Sequence, residues 1–116
     1  MCAIAGFLGG SITPIAAERT LQAMAATLAH RGPDASAIFY DPETRIGFSH
    51  CRLSILDLSP AGAQPMTSHN GRFVIAFNGE IYNFTDLKAE LDSRSVPPAW
   101  RGHSDTEVLL ETIAAY

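Results

Sequence analysis

Cys2 stands directly after the initiator methionine, at the head of an apolar run, Ala3-Ile4-Ala5-Gly6-Phe7-Leu8. It is small enough for Met1 to be trimmed, which would leave one residue with both a thiol and a free α-amine. Such an amine is partly unprotonated near neutral pH. It can take the thiol proton directly or through one water, so that a terminal amine activates its own side chain as a nucleophile. The plainer reading makes Cys2 a small apolar residue opening a buried strand, and position alone favours it. A nucleophile further requires donors for a developing oxyanion and a pocket for its substrate.

Three other sites bear on that requirement. In Phe77-Asn78-Gly79-Glu80-Ile81-Tyr82-Asn83 an asparagine amide adjoins a glycine N–H that no side chain shields, a pair of donors suited to an oxyanion. An Asn-Gly turn is the commoner meaning of such a pair, but Asn70-Gly71 already supplies a hairpin turn and a strand-like pattern resumes at Ile81-Tyr82. Arg52 ends a largely apolar strand. Its guanidinium needs either a substrate carboxylate held bidentately or a protein carboxylate such as Asp57 or Glu80, and the pattern weighs the two equally. Asp105 lies beside Ser104 at the start of the last helix, where a carboxylate favours the helix dipole. By itself it reads as a cap; with Arg52 it would bracket an α-amino acid, one charge at each end.

Other chemistries find less in the sequence. The four histidines and two cysteines show no C-x-x-C or H-x-x-x-H spacing for a metal. Gly9-Gly10 is not followed by a phosphate-loop pattern. Cys51, although next to Arg52, reads as a packed thiol rather than a reactive one.

The elements that must position these groups follow from spacing and turn residues. Residues 2–8 read as a buried strand stopped by Gly9-Gly10. Thr13-Pro14 caps a helix to about Ala29 whose apolar face is Leu21, Met24, Ala25 and Leu28. Residues 35–40 and 45–55 form a hairpin around Asp41-Pro42-Glu43-Thr44. Residues 56–66 are loop, and Arg72–Phe77 is the strongest strand pattern in the chain. Thr85 caps a short helix with Leu87 and Leu91 one turn apart, and Pro97-Pro98 excludes helix or central strand. Ser104 and Glu107 have capping-box spacing before a last helix that runs on to Tyr116 with no closing signal. Strands in hairpins with few intervening helices predict an α+β fold with antiparallel pairing.

Composition bounds the rest. The 116 residues make at most one domain, and 47% apolar with 17% charged residues is a folding composition. A net charge of −4 with one lysine, Lys88, gives no basic footprint for nucleic acid or an anionic membrane. Two cysteines are too few for a disulfide framework, which fits a reducing compartment.

Six motifs in order resemble one family: Met-Cys-Ala-Ile-Ala-Gly-Phe at 1–7, His-Arg-Gly-Pro-Asp at 30–34, Arg-Leu-Ser-Ile-Leu-Asp at 52–57, Gln-Pro-Met at 64–66, Ala-Phe-Asn-Gly-Glu-Ile-Tyr-Asn at 76–83 and Ser-Asp-Thr-Glu-Val-Leu-Leu at 104–110. The chain resembles the glutaminase domain of glutamine-hydrolysing asparagine synthetases, a class II glutamine amidotransferase. The resemblance implies the N-terminal-nucleophile hydrolase fold, an αββα sandwich of antiparallel sheets, here incomplete, with residues 1–116 as one glutaminase domain cut on its C-terminal side. It implies Cys2 as nucleophile and mature terminus, Asn78 and Gly79 as oxyanion hole, and Arg52 on the glutamine α-carboxylate. Asp105 and Glu80 would hold the amine and amide regions, helped by backbone of Leu53, Ser54, Ile55 and Leu56. Ammonia would serve ATP-dependent asparagine synthesis in a cytoplasmic parent protein. ATP and magnesium would belong to its synthetase domain, and no cofactor to this stretch.

The sequence departs from the family in three ways. Ala3 replaces a glycine, and its methyl is expected to crowd the backbone near the nucleophile. Pro97-Pro98 stands where the family approaches Ser-Asp-Thr-Glu through a strand. The stretch is shorter than the family domain, so uncovered sheet edges are expected to drive self-association. The alternative reading is a non-catalytic module that binds glutamine or a partner.

Overall fold

The computed structural model describes residues 2–55 and 57–116; the expected trimming of Met1 and the expected backbone contact of Leu56 lie outside them. The elements are β1 (Ala3–Leu8), α1 (Pro14–Leu28), β2 (Ala35–Asp41), β3 (Ile46–Arg52), a 3-10 turn (Pro60–Gly62), β4 (Met66–Thr67), β5 (Val74–Ile75), α2 (Phe84–Asp92) and α3 (Asp105–Ala115). They form an α+β fold with two antiparallel sheets, one in the order β1-β3-β2 and one a short β4-β5 hairpin.

β3 is the central strand, and its alternation divides the fold. Ala3 pairs with Cys51 and Phe7 with Gly47 on one side, and Ala37 pairs with His50 on the other. Side chains alternate across a pleated sheet, so Gly47, Ser49 and Cys51 share one face and Phe48, His50 and Arg52 the other. The first face meets α1: the Cys51 thiol donates to the Ala25 carbonyl at 3.2 Å. Ala17, Leu21 and Ala25, one turn apart each, are the buried stripe of that helix. The methyl of Ala3 packs here with Ala25 and Cys51. Cys2, one residue earlier, lines the cavity on the opposite side, so the Ala3 methyl is directed away from its thiol.

Local chemistry sets the boundaries. The Thr13 hydroxyl accepts from the Ala16 N–H and Pro14 takes the first helical position, which opens α1. Gly32 lies against the Cys51–Arg52 backbone so closely that any Cβ would collide with it, which accounts for the glycine in His-Arg-Gly-Pro-Asp. The Asp41 carboxylate accepts from the Glu43 N–H and the Thr44 hydroxyl and so closes the β2–β3 turn, its pKa held below the usual carboxylate value mainly by Thr44. Beyond the site, α2 and α3 pack together and Leu91, Val108 and Leu110 are fully covered.

Four expectations are corrected. The Arg72–Phe77 strand pairs only over Val74–Ile75, because its partner β4 is two residues long and a ladder extends no further than its partner. No strand resumes at Ile81-Tyr82; a turn there leads straight into α2, with Ile81 O accepting from Phe84 N. Thr85 is not the cap of α2: the helix begins at Phe84, and Asn83 in the cap position makes no side-chain capping bond. Similarly, the returning arm of the first hairpin ends at Arg52 rather than Ile55, for a reason that belongs to the site.

Candidate active site

Past Arg52 the strand gives up its ladder to side chains. The Leu53 N–H points at the Cys2 sulfur at 3.3 Å, and the Ser54 N–H donates to the Asp34 carboxylate at 2.7 Å. Residues 53–55 therefore leave the sheet and form one wall of a cavity of about 280 Å³. Cys2 and Arg52 line the same cavity, as do Leu53, Ser54 and Ile55. The opposite wall is Asn78, Gly79 and Glu80, and Asp105 sits at the N-terminus of α3. Apart from Leu56, every residue singled out from the sequence as a site residue thus borders one cavity, brought from four separate parts of the chain.

Two charges in this cavity lack a counter-ion. Arg52 is 9% exposed and Asp105 7%, and among the described residues neither forms an ion pair. The Arg52 guanidinium donates instead to the backbone carbonyls of Ser59, at 2.9 Å, and Asp57. Those two bonds use two of its five N–H donors. Neither protein carboxylate considered from the sequence takes the rest. Glu80 is exposed. The Asp57 carboxylate accepts from the Ser59 and His103 N–H groups at 2.8 Å each. These bonds, with a smaller contribution from the Arg52 charge, hold Asp57 at a pKa of about 2.

Asp105 is not the cap of its helix. Ser104 does that, accepting from the Glu107 N–H at 3.2 Å. The Glu107 carboxylate does not complete a capping box but takes the N–H groups of Arg101 and Gly102. Asp105 reaches back across the cavity to accept from the Ile81 N–H at 2.9 Å. Its remaining lone pairs are available to a cation. A buried guanidinium and a buried carboxylate, each unpaired, are costly to maintain. A ligand carrying one carboxylate and one ammonium group would neutralise both.

Several residues that shape the cavity were not marked as functional from the sequence. Gln64 is 8% exposed; its Oε1 accepts from the Phe77 N–H at 2.6 Å and its Nε2 donates to the Thr106 hydroxyl at 3.3 Å. His50 is 1% exposed, and its Nε2 lies 3.3 Å from the Phe77 carbonyl oxygen. Asp34 holds Ser54, and Gly62 lets the Arg52 guanidinium lie against the 3-10 turn where a Cβ would overlap it. Gln64, Asp34 and Asp57 all fall inside the six motifs, which was the available signal; His50 lies outside them. A second hollow, of about 370 Å³ between α1 and β2, is lined by alanines, Gly32, Pro33 and Cys51. Its lining among the described residues also has Gln22, Ser36 and Ile38 but no carboxylate, histidine or lysine.

The family model described as "Glutamine amidotransferase domain" matches residues 1–116. The glutamine-hydrolysing asparagine synthetase 1 of Bacillus subtilis is 39% identical over 99 residues, covering 85% of this chain and 15% of the synthetase. Asparagine synthetase B of Escherichia coli is 36% identical over 110 residues, covering 95% and 19% respectively. The amidase chry2 of Gibberella zeae is 34% identical over 125 residues, covering all of this chain and 18% of the amidase. The chain thus spans less than a fifth of the length of each of these relatives.

Proposed function

We propose, for a chain that belongs to the glutamine amidotransferase domain family, that it hydrolyses the side-chain amide of glutamine and delivers ammonia to a synthetase domain of a longer parent protein. The observation that carries this reading is the pair of unpaired buried charges, Arg52 and Asp105, on the cavity that Cys2 lines. Glutamine has the matching groups: an α-carboxylate for the free donors of Arg52, an ammonium for Asp105, and a side-chain carboxamide long enough to reach toward Cys2.

On this reading Met1 is removed and the new α-amine takes the Cys2 proton. The sulfur attacks the carboxamide carbon, and the carbonyl electrons move onto oxygen. The Asn78 amide and the Gly79 N–H stabilise that oxyanion. Collapse breaks the C–N bond; the proton held by the α-amine passes to the departing nitrogen, and ammonia leaves. Water, deprotonated by the same amine, then hydrolyses the glutamyl thioester, and the proton returns to the sulfur as glutamate is released. The Leu53 N–H on the Cys2 sulfur and the Glu80 carboxylate at the amide end of the cavity serve to orient the reacting groups.

The finer architecture follows the same reading. Here α1, the β1-β3-β2 sheet, the β4-β5 hairpin and the α2–α3 pair are the layers of an αββα sandwich whose second sheet is incomplete. Ile4 and Leu8, on the β1 face turned toward that sheet, are 39% and 78% exposed, which supports a missing cover and self-association through it. Two free cysteines suit a reducing, cytoplasmic setting. Aspartate is the proposed ammonia acceptor and asparagine the product; ATP and magnesium belong to the parent's synthetase domain.

Glutamate release by the protein as produced in full, with and without Cys2→Ala, tests the reading. The substitution is expected to reduce turnover by roughly 10⁴-fold or more. Unchanged turnover would leave a binding module as the better account.

A further inference from the structure

We infer that His50 and Gln64 are positioning residues that clamp the backbone at Phe77 from its two sides and thereby aim the Asn78 and Gly79 donors. The inference rests on the reading of that pair as the oxyanion hole.

The backbone needs such a clamp because the ladder runs out. β5 ends at Ile75, and neither the N–H nor the carbonyl of Phe77 has a backbone partner among the described residues. Asn78, Gly79 and Glu80 are all exposed. Donors on an unheld loop would have to be ordered in the transition state, which is the reorganisation that a preformed oxyanion site avoids. Two buried side chains replace the ladder. From the loop before β4, Gln64 accepts the Phe77 N–H at 2.6 Å; from β3, His50 meets the Phe77 carbonyl at 3.3 Å. The Phe77 carbonyl and the Asn78 nitrogen share one planar peptide unit, so holding that oxygen sets the plane from which Asn78 departs. On the far side Asp105 holds the Ile81 N–H at 2.9 Å. The three exposed residues are therefore strung between fixed points.

The chemistry of each clamp group fits this task. A carbonyl only accepts, so the His50 Nε2 carries the proton. Its Nδ1 is then bare, and it has no hydrogen-bond partner among the described residues. Burial lowers the His50 pKa below its ordinary value, opposed in part by the bond to the Phe77 carbonyl and aided by the nearby Arg52 charge. Gln64 is itself oriented, because its Nε2 donates to Thr106 in the first turn of α3. The clamp thus ties the oxyanion loop to the helix that carries Asp105.

A glutamine-like aldehyde, with the carboxamide replaced by CHO, forms a hemithioacetal with Cys2 whose oxygen needs the donors, whereas glutamate needs only the Arg52 and Asp105 contacts. In the full protein, His50→Leu and Gln64→Leu are expected to weaken the aldehyde by about tenfold or more and to lower kcat in parallel, with glutamate affinity changed less than about twofold. His50→Gln keeps a donor and is expected to recover most of the loss at that position. Weakening of aldehyde and glutamate together, or of neither, would overturn the clamp. Should the leucine variants not fold, hydrogen exchange in the unaltered protein decides: the Phe77 amide is expected to be protected while that of Gly79 exchanges freely, and equal exchange would overturn the clamp. Absence of any Cys2 adduct in the unaltered protein is a different failure, since it removes the oxyanion reading on which the clamp rests.

Discussion

The two faces of the β1-β3-β2 sheet are made of opposite materials. Toward α1 lie Ala3, Ala17, Leu21, Ala25 and Cys51, small or aliphatic groups closed over one another. Toward the cavity lie His50, Arg52, Asp57, Gln64 and Asp105, all buried and all polar. Among the described residues, eleven polar or charged side chains are buried against nine apolar ones. An interior with that balance is not held by the hydrophobic effect alone. The α1 face contributes stability through area removed from water. The cavity face spends hydrogen bonds on holding loops in place, with Asp57 on residues 59 and 103, Gln64 on 77 and Asp105 on 81. The contrast separates the part that keeps the chain folded from the part that would do chemistry, and it predicts that substitutions on the two faces fail in different ways.

The largest effect expected on stability is on the α1 face. Leu21 is fully buried against β1 and β3 and touches nothing in the cavity. Leu21→Ala is expected to destabilise by about 2–5 kcal/mol, read as a lower Tm or denaturant midpoint, with kcat and KM unchanged at temperatures where the variant stays folded. A matching loss of activity in the folded variant would break the division between faces.

On the cavity face the pattern reverses. Asp105→Asn keeps an oxygen for the Ile81 N–H, removes the charge, and turns the oxygen that accepts from the Thr106 hydroxyl at 3.5 Å into a donor. KM for glutamine is expected to rise about 10- to 100-fold, with Tm nearly unchanged. A substrate affinity indifferent to this change would mean that the buried carboxylate serves the loop alone.

A smaller effect concerns acid stability. Asp57 is depressed from its ordinary 3.8 to about 2 in the folded chain. Its ionised form therefore contributes stability that is present above about pH 4 and is lost as the pH falls toward 2. Thermal melts of Asp57→Asn across that window should show a shallower acid decline than the unaltered chain. An identical decline would place the acid sensitivity elsewhere.

The same division explains what the sequence revealed. The α1 face was legible because periodicity is local: Thr13-Pro14 marked the helix start, and Leu21, Ala25 and Leu28 marked its inner side. The candidate site residues were legible as types, since Cys2, Arg52, Asn78-Gly79 and Asp105 each invite a chemical question. Their meeting at one cavity was legible only as the bracketing of one amino acid and through the order of the six motifs, not from local pattern, because Arg52 and Asp105 are drawn together by contacts more than forty residues apart, such as Asp57 with His103 and Gln64 with Thr106. The strand at Arg72–Phe77 misled for a related reason. Apolar pattern reports a wish to be buried, but ladder length depends on the partner, and β4 offers only two residues. Past Ile75 the chain is held by Gln64 and His50, and no period-two pattern encodes a side chain reaching in from elsewhere.

On the proposed mechanism the Cys2 sulfur, freed at a mature amino terminus, carries the acyl group. Protein mixed with glutamine, quenched in acid within the first turnover and digested should yield an amino-terminal peptide that begins at Cys2 and carries one added glutamyl group. Full glutaminase turnover by protein that still bears Met1, or a glutamyl group found on any other residue, would contradict it.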